Sequence, residues 1–246
     1  MKAHRFYRYE SLGSTNDEAR RLAALGEPEG AVVVAEAQTA GRGRAGRVWV
    51  TPPGGAVAMS LILRPRVAPA HLTQMAMLGG LAVAEGIRAM CGVAAELKWP
   101  NDVLVAGRKV AGVLAEASFA GEQLDWVVLG MGVNVNAGPP PAVALDASRA
   151  ATCLAAEVGY LLERESVMSA ILSAFDARYA QLGTPALAAA WEGLLAMRGK
   201  RVEARGPAET VTGRLEGVTA EGAAVLRLAS GESRVILAGD VHLREG

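Results

Sequence analysis

The chain has 246 residues, 51% of them hydrophobic, and its 25 basic and 25 acidic residues cancel to a formal charge of zero. That length allows a large domain with a small companion and a sizeable core, while the charge balance argues against a non-specific nucleic-acid binder, which needs a broad positive field. No stretch has the length and apolarity of a membrane span.

The N-terminus, MKAHRFYRYE, carries charges where a signal peptide needs an apolar centre, so a cytoplasmic location is expected. Ser14-Thr15-Asn16-Asp17-Glu18 predicts a helix start, with Thr15 and Glu18 three apart as a capping box requires. Ala19, Leu22 and Ala23 follow at helical spacing, and Gly26 ends the helix. Residues 31–35 read as a strand, GRGRAGR fills 41–47, and a second apolar strand covers 58–63. Residues 69–90 predict a long core helix with Leu72, Met75, Leu78, Ala82, Val83, Ile87 and Met90 on one face. Strands are expected over 96–99, 103–105 and 109–116, the last two joined by a tight turn at Ala106-Gly107, and again over 126–135. After the prolines at 139–141, helices are expected over 147–158, 166–182 and 185–197, the last opened by Thr184 and Pro185.

From Lys200 onward the pattern shortens. Stretches at 202–204, 210–215, 224–228 and 234–237, separated by Gly206, Gly217, Gly222 and Gly231, predict a small β-barrel appended to an α+β domain. The expected domains are 1–198 and 199–246. Cys91 and Cys153 form no CxxC pair and read as buried reduced thiols. His4, His71 and His242 stand far apart without metal-ligand spacing, which argues against a zinc site.

Three stretches carry chemistry. In GRGRAGR, glycines let a ligand approach the main chain and arginines supply forked donors for phosphate or carboxylate. Alone, the loop fits a phosphate lid, a solvated basic loop or an RNA contact equally. KWPNDVLVAGRKVAGVLAE, over 98–116, sets Asp102 and Lys109 on facing arms of a hairpin, where they either line a pocket or form a surface ion pair. VVLGMGVNVN, over 127–136, interrupts a buried strand with Gly130 and Gly132, which costs stability unless something approaches closely. Its GxGxN is no Rossmann fingerprint, and no P-loop occurs anywhere.

Taken in order, these strings resemble the biotin–protein ligases. The matching residues are Ser-Thr-Asn at 14–16, Gln38 before GRGRAGR, Trp49, KWPND at 98–102, RKVAG at 108–112 and GMGVN at 130–134. The C-terminal barrel is similar to that family's on pattern rather than motif, and Ala45 departs from it, standing where a bulkier or basic residue is common. The resemblance implies a class II aminoacyl-tRNA synthetase-like mixed sheet flanked by helices, with a small SH3-like barrel. It also implies a two-step reaction: biotin and ATP, with Mg2+, give biotinyl-5′-AMP, and the biotinyl group then passes to a lysine of a biotin carboxyl carrier protein. No DNA-binding segment precedes Ser14, so the form without repressor function is expected, and a homodimer fits the family.

By resemblance, Lys109 is the catalytic charge, assisted by Arg42 and Asp102. Biotin falls to Ser14, Thr15, Asn16, Gln38, Gly41, Arg42, Gly43, Arg44, Lys109 and Gly112. ATP falls to Arg42, Arg44, Arg47, Trp49, Lys98, Asn101, Lys109 and Asn134, and no metal ligands are assigned. An ionised carboxylate needs no general base, so the scarcity of histidine suits this chemistry. A lipoate or octanoyl transferase of the same fold is the nearest alternative. A non-catalytic ligand-binding regulator would be expected to have lost Lys109 or the arginines, and an RNA-binding module is disfavoured by neutral charge and 4% aromatics.

Overall fold

The computed structural model describes residues 4–50, 52–140, 151–206, 209–237 and 239–243. In chain order the larger part contains β1 (Arg5–Leu12), α1 (Thr15–Ala24), β2 (Ala31–Gln38), β3 (Ala56–Leu63), α2 (Thr73–Cys91), β4 (Ala95–Lys98), β5 (Asp102–Val105), β6 (Arg108–Ala120) and β7 (Gln123–Asn134). Then follow α3 (Leu154–Val158), α4 (Arg164–Tyr179) and α5 (Pro185–Glu192). The strands form one seven-stranded sheet, ordered β1-β2-β3-β7-β6-β5-β4. Only β1 and β2 run parallel; every other neighbouring pair is antiparallel.

The central strands read as unbroken apolar runs because both faces of the sheet are buried. Side chains alternate along a strand: Val32, Val34, Leu61, Leu63, Val127 and Leu129 enter the core under α2 and α4, while Val33, Ile62 and Val128 enter a second core against Ala19 and Ala23 of α1. Helices α2 and α4 meet so closely that a Cβ on Gly86 would lie 2.8 Å from the Ile171 backbone. A larger residue there would force them apart.

Several expectations need correction. The α1 capping box does not form: Ser14 is the N-cap without a side-chain cap bond, and Thr15 is the first helical residue. Its hydroxyl bonds Gln38, while Glu18 receives Tyr9 and Arg21. β1, which the sequence reading did not place, lies at the sheet edge with alternate residues exposed. Of the helix expected over 147–158, residues 147–150 lie outside the described residues, Ala151 bridges Lys109 in extended form, and only Leu154–Val158 is helical. α5 stops at Glu192 because the next turn leaves to pair with the sheet edge, Leu97 N–H donating to Leu194 O and Ala196 N–H to Leu97 O. Cys91 and Cys153 are unpaired thiols as expected, but half-buried rather than buried, and desolvation raises the Cys91 pKa.

The C-terminal part is a five-stranded antiparallel sheet, ordered β11-β10-β9-β8-β12, from β8 (Arg201–Arg205), β9 (Thr210–Val218), β10 (Ala224–Arg227), β11 (Ser233–Ile236) and β12 (Asp240–Leu243). Its β9–β10 turn docks on the larger part, with Gly222 O accepting Trp99 Nε1 at 2.9 Å and Ala220 O accepting Gln74 Nε2 at 2.5 Å.

Candidate active site

The floor of the main cleft is a patch of sheet without side chains. Gly112 on β6 and Gly132 on β7 sit opposite each other in the ladder. The Trp49 indole lies on this patch: a Cβ on Gly132 would come within 2.4 Å of Trp49 Cε2, and one on Gly112 within 3.3 Å of Cζ3. Two residues up β7, Gly130 makes room for Asn16, whose Oδ1 would be 2.1 Å from an added Cβ. The glycines that interrupt a buried strand thus admit Trp49 and Asn16 to the sheet surface.

One wall is the β4–β5–β6 meander. Register places Lys98 opposite Asp102, and Asp102 opposite Gly112. Lys109 Nζ reaches across to Asp102 Oδ1 at 2.5 Å, with Asp102 nearly buried and Lys109 about a quarter exposed. The same ammonium stands 5.7 Å from the centre of a Trp49 ring. Asn101 ties the turn to β6, donating to Val113 O at 2.7 Å and accepting Val113 N–H through its carbonyl at 3.0 Å.

The opposite wall is neutral and buried. Gln38 Oε1 accepts both the backbone N–H and the hydroxyl of Thr15, at 2.8 and 3.1 Å. Ser60 Oγ lies 2.8 Å from Thr15 Oγ1 and 2.6 Å from Asn16 Oδ1, and Ser14, Thr15 and Asn16 are each only 4% exposed. Neutral donors and acceptors in a dry wall suit a ligand head that is polar but uncharged.

The arginine–glycine loop covers the opening. It closes on itself through an Arg42–Val48 bridge, Gly43 N–H to Arg47 O at 2.7 Å and Trp49 N–H to Gly41 O at 2.9 Å. Ala45 adopts φ 54° in the turn between. Arg42 meets Asp17 and Glu116, both at 2.7 Å, and Arg44 donates to Asn101 Oδ1 and Gly239 O, both at 3.3 Å.

Thirteen of the sequence-predicted residues therefore line one cleft open to solvent: the Ser14, Thr15, Asn16 and Gln38 wall, Arg42, Gly43, Arg44, Arg47 and Trp49 of the loop, and Asn101, Asp102, Lys109 and Gly112 of the meander. Three do not line it. Gly41 is packed beneath Trp49, where an added Cβ would sit 2.3 Å from its carbonyl oxygen. Lys98 stands on β4 behind Asp102. Asn134 is 2% exposed and donates to Thr152 O at 2.9 Å.

Sequence reading missed Ser60, Glu116, Thr152, Glu157 and Gly239. Thr152 N–H donates to Lys109 O at 2.8 Å, its hydroxyl bonds Glu157, and Glu157 also pairs with Arg108, so this group braces the start of β6 at Arg108 and Lys109. A lone serine within AVAMSLIL was a visible signal for Ser60; a carbonyl such as that of Gly239 leaves none. Among the described residues no three His, Cys, Asp or Glu side chains cluster to hold a metal. Mg2+ needs only one or two carboxylates beside substrate phosphates, and Asp102 is the acidic residue lining this cleft.

Comparison with known proteins assigns the same chemistry. The biotin/lipoate A/B protein ligase family matches residues 10–134, and the biotin protein ligase C terminal domain matches residues 199–244. The biotin–[acetyl-CoA-carboxylase] ligase of Paracoccus denitrificans is 38% identical, covering 93% of this chain and 96% of that one. The bifunctional ligase/repressor BirA of Bacillus subtilis is 35% identical over 99% of this chain and 75% of its own. Among solved structures, a biotin protein ligase from Aquifex aeolicus in complex with biotin and ATP superposes with a TM-score of 0.84 at 28% identity, covering 98% of this chain and 99% of that one. With its glycine-floored cleft, arginine loop and Lys109–Asp102 pair, the chain belongs to the biotin/lipoate A/B protein ligase family and, within it, to the biotin protein ligases.

Proposed function

We propose that this cleft joins biotin to ATP and that Lys109 is the charge on which the reaction turns. The observation that carries the reading is the Lys109 ammonium, fixed by Asp102 at 2.5 Å in a cleft that the arginine loop roofs. Biotin's ureido head needs neutral hydrogen-bond partners, and the Thr15–Gln38–Ser60 wall supplies them. Its carboxylate then points toward Lys109, beside the nucleotide α-phosphate. A carboxylate oxygen attacks phosphorus, the bond to the bridging oxygen breaks, and pyrophosphate leaves. Lys109, held by Asp102 and shielded by Trp49, reduces the repulsion between the two anions and stabilises the charge that builds between them. Mg2+, arriving with the nucleotide, would neutralise further phosphate charge, and Asp102 is the carboxylate of the cleft lining that would hold it.

In the second step the neutral amine of a carrier lysine attacks the acyl carbon, AMP leaves, and the amine loses a proton. The partner is a biotin carboxyl carrier protein, in keeping with the relatives' names. A division at 198/199 agrees with the span of the C-terminal family match. The test is incubation with ATP, biotin and a carrier domain, read as mass gain on the carrier. No transfer of biotin, with lipoate transferred instead, overturns the substrate.

A further inference from the structure

Glu116 belongs to β6 and to no role assigned so far. Arg42, at the root of the loop, places one nitrogen 2.7 Å from Glu116 Oε2 and 2.7 Å from Asp17 Oδ1. The same Glu116 oxygen accepts Asn16 Nδ2 at 2.8 Å, and Arg20 stands 3.6 Å from both carboxylates. Two arginines and two carboxylates thus balance within one small network. Isolated surface ion pairs contribute little. Here one oxygen joins a guanidinium to a buried amide, and Asn16 is seated in the space Gly130 leaves. Shared, charge-assisted bonds of that kind are stronger than the separate pairs.

We infer that Glu116 is a positioning residue: through Arg42 it latches the root of the arginine loop to the wall that receives biotin. Arg42 commits one terminal nitrogen to two carboxylates, and that engagement anchors the loop. Loss of the latch raises the cost of closing the loop over substrate and weakens biotin capture, while chemistry in the closed state is spared.

This rests on the biotin-ligase reading of the cleft, so the test uses one readout with substrate and one without. Limited trypsin digestion of the ligand-free protein cuts the loop at Arg42, Arg44 and Arg47. Glu116→Gln is expected to speed that cleavage roughly tenfold, raise the KM for biotin by a similar factor, and leave kcat within about twofold. Glu116→Asp, which keeps the charge, should recover most of the protection. Arg42→Gln with Glu116→Gln should be no worse than either alone, as for two halves of one contact. Parental cleavage and parental biotin KM in Glu116→Gln overturn the latch, as does a raised KM without faster cleavage. If Glu116→Gln does not fold, Arg42→Gln, which alters no core contact, must show the faster cleavage; parental cleavage there also overturns it. A parent protein that consumes no biotin refutes the functional reading instead.

Discussion

The arginine loop over 42–49 and the hairpin over 101–112 contribute side chains to the same cleft, but turns and ion pairs hold the first while paired strands hold the second. The loop's order depends on a self-closing bridge, a left-handed Ala45 and the partners of Arg42 and Arg44. The meander's order comes from register: Asp102 faces Gly112 because β5 pairs β6, and Lys109 reaches Asp102 from the same strand as Gly112. A reactive charge belongs on the rigid element, where misplacement is costly. A cover belongs on the element that can open for substrate and product, since few buried contacts hold it. Division of labour between them follows from how each is built.

Breaking the rigid partner should have the largest effect. Lys109→Ala is expected to cut pyrophosphate release with saturating biotin and ATP by roughly 10²–10³-fold, the scale for removing one preorganised donor. Thermal unfolding should still show a cooperative transition, and normal turnover by the folded variant would take Lys109 out of the mechanism. Arg44→Gly attacks the loop instead. It should release biotinyl-5′-AMP before transfer and label bystander proteins, a leak visible as biotin on serum albumin added in excess. Adenylate retention equal to the parent's would deny the loop its sealing role. Trp99→Phe removes the indole donor to Gly222 O and leaves a smaller ring in a buried site, so an unsatisfied carbonyl and lost packing together cost at least about 1–3 kcal/mol of stability. Denaturant midpoints should register that loss, with biotin KM changed little. The smallest effect belongs to Ala45→Gly: relief of φ 54° and the added freedom of the unfolded chain offset each other to within about 1 kcal/mol. A large gain in activity there would mean that the loop's rigidity limits turnover.

Most of this arrangement was legible in the residues, for identifiable reasons. The apolar runs at 31–35, 58–63 and 126–135 gave the central strands, since a doubly buried strand leaves little ambiguity of face. The Ala106-Gly107 turn set Asp102 and Lys109 on facing arms of one hairpin, and their ion pair forms across it. Where the reading failed, a local signal competed with a distant partner. Thr15 had the spacing of a cap, but Gln38 and Ser60, brought up by neighbouring strands, take its hydroxyl. Ala151 to Cys153 fell within the helix expected over 147–158, yet the start of β6 recruits the backbone on either side of Thr152 as an extended segment. β1 escaped because its alternation mixes charged and aromatic residues, as an edge strand's solvent face does. Glu116 escaped because nothing about a glutamate near the middle of a strand announces the loop 74 positions earlier that it will meet.

The bond from Arg44 to the Gly239 carbonyl spans 195 positions of sequence. During synthesis the ribosome delivers the loop long before it delivers that carbonyl, and at 5–20 residues per second the interval is roughly ten to forty seconds. Once synthesis has passed Asn134, the floor and both walls of the cleft are complete in sequence, while the roof still lacks one of its supports. A chain broken off between that point and Gly239 would carry a complete lysine–aspartate pair beneath an under-braced cover. Removal of such fragments by quality control would keep a leaky adenylate source out of the cell.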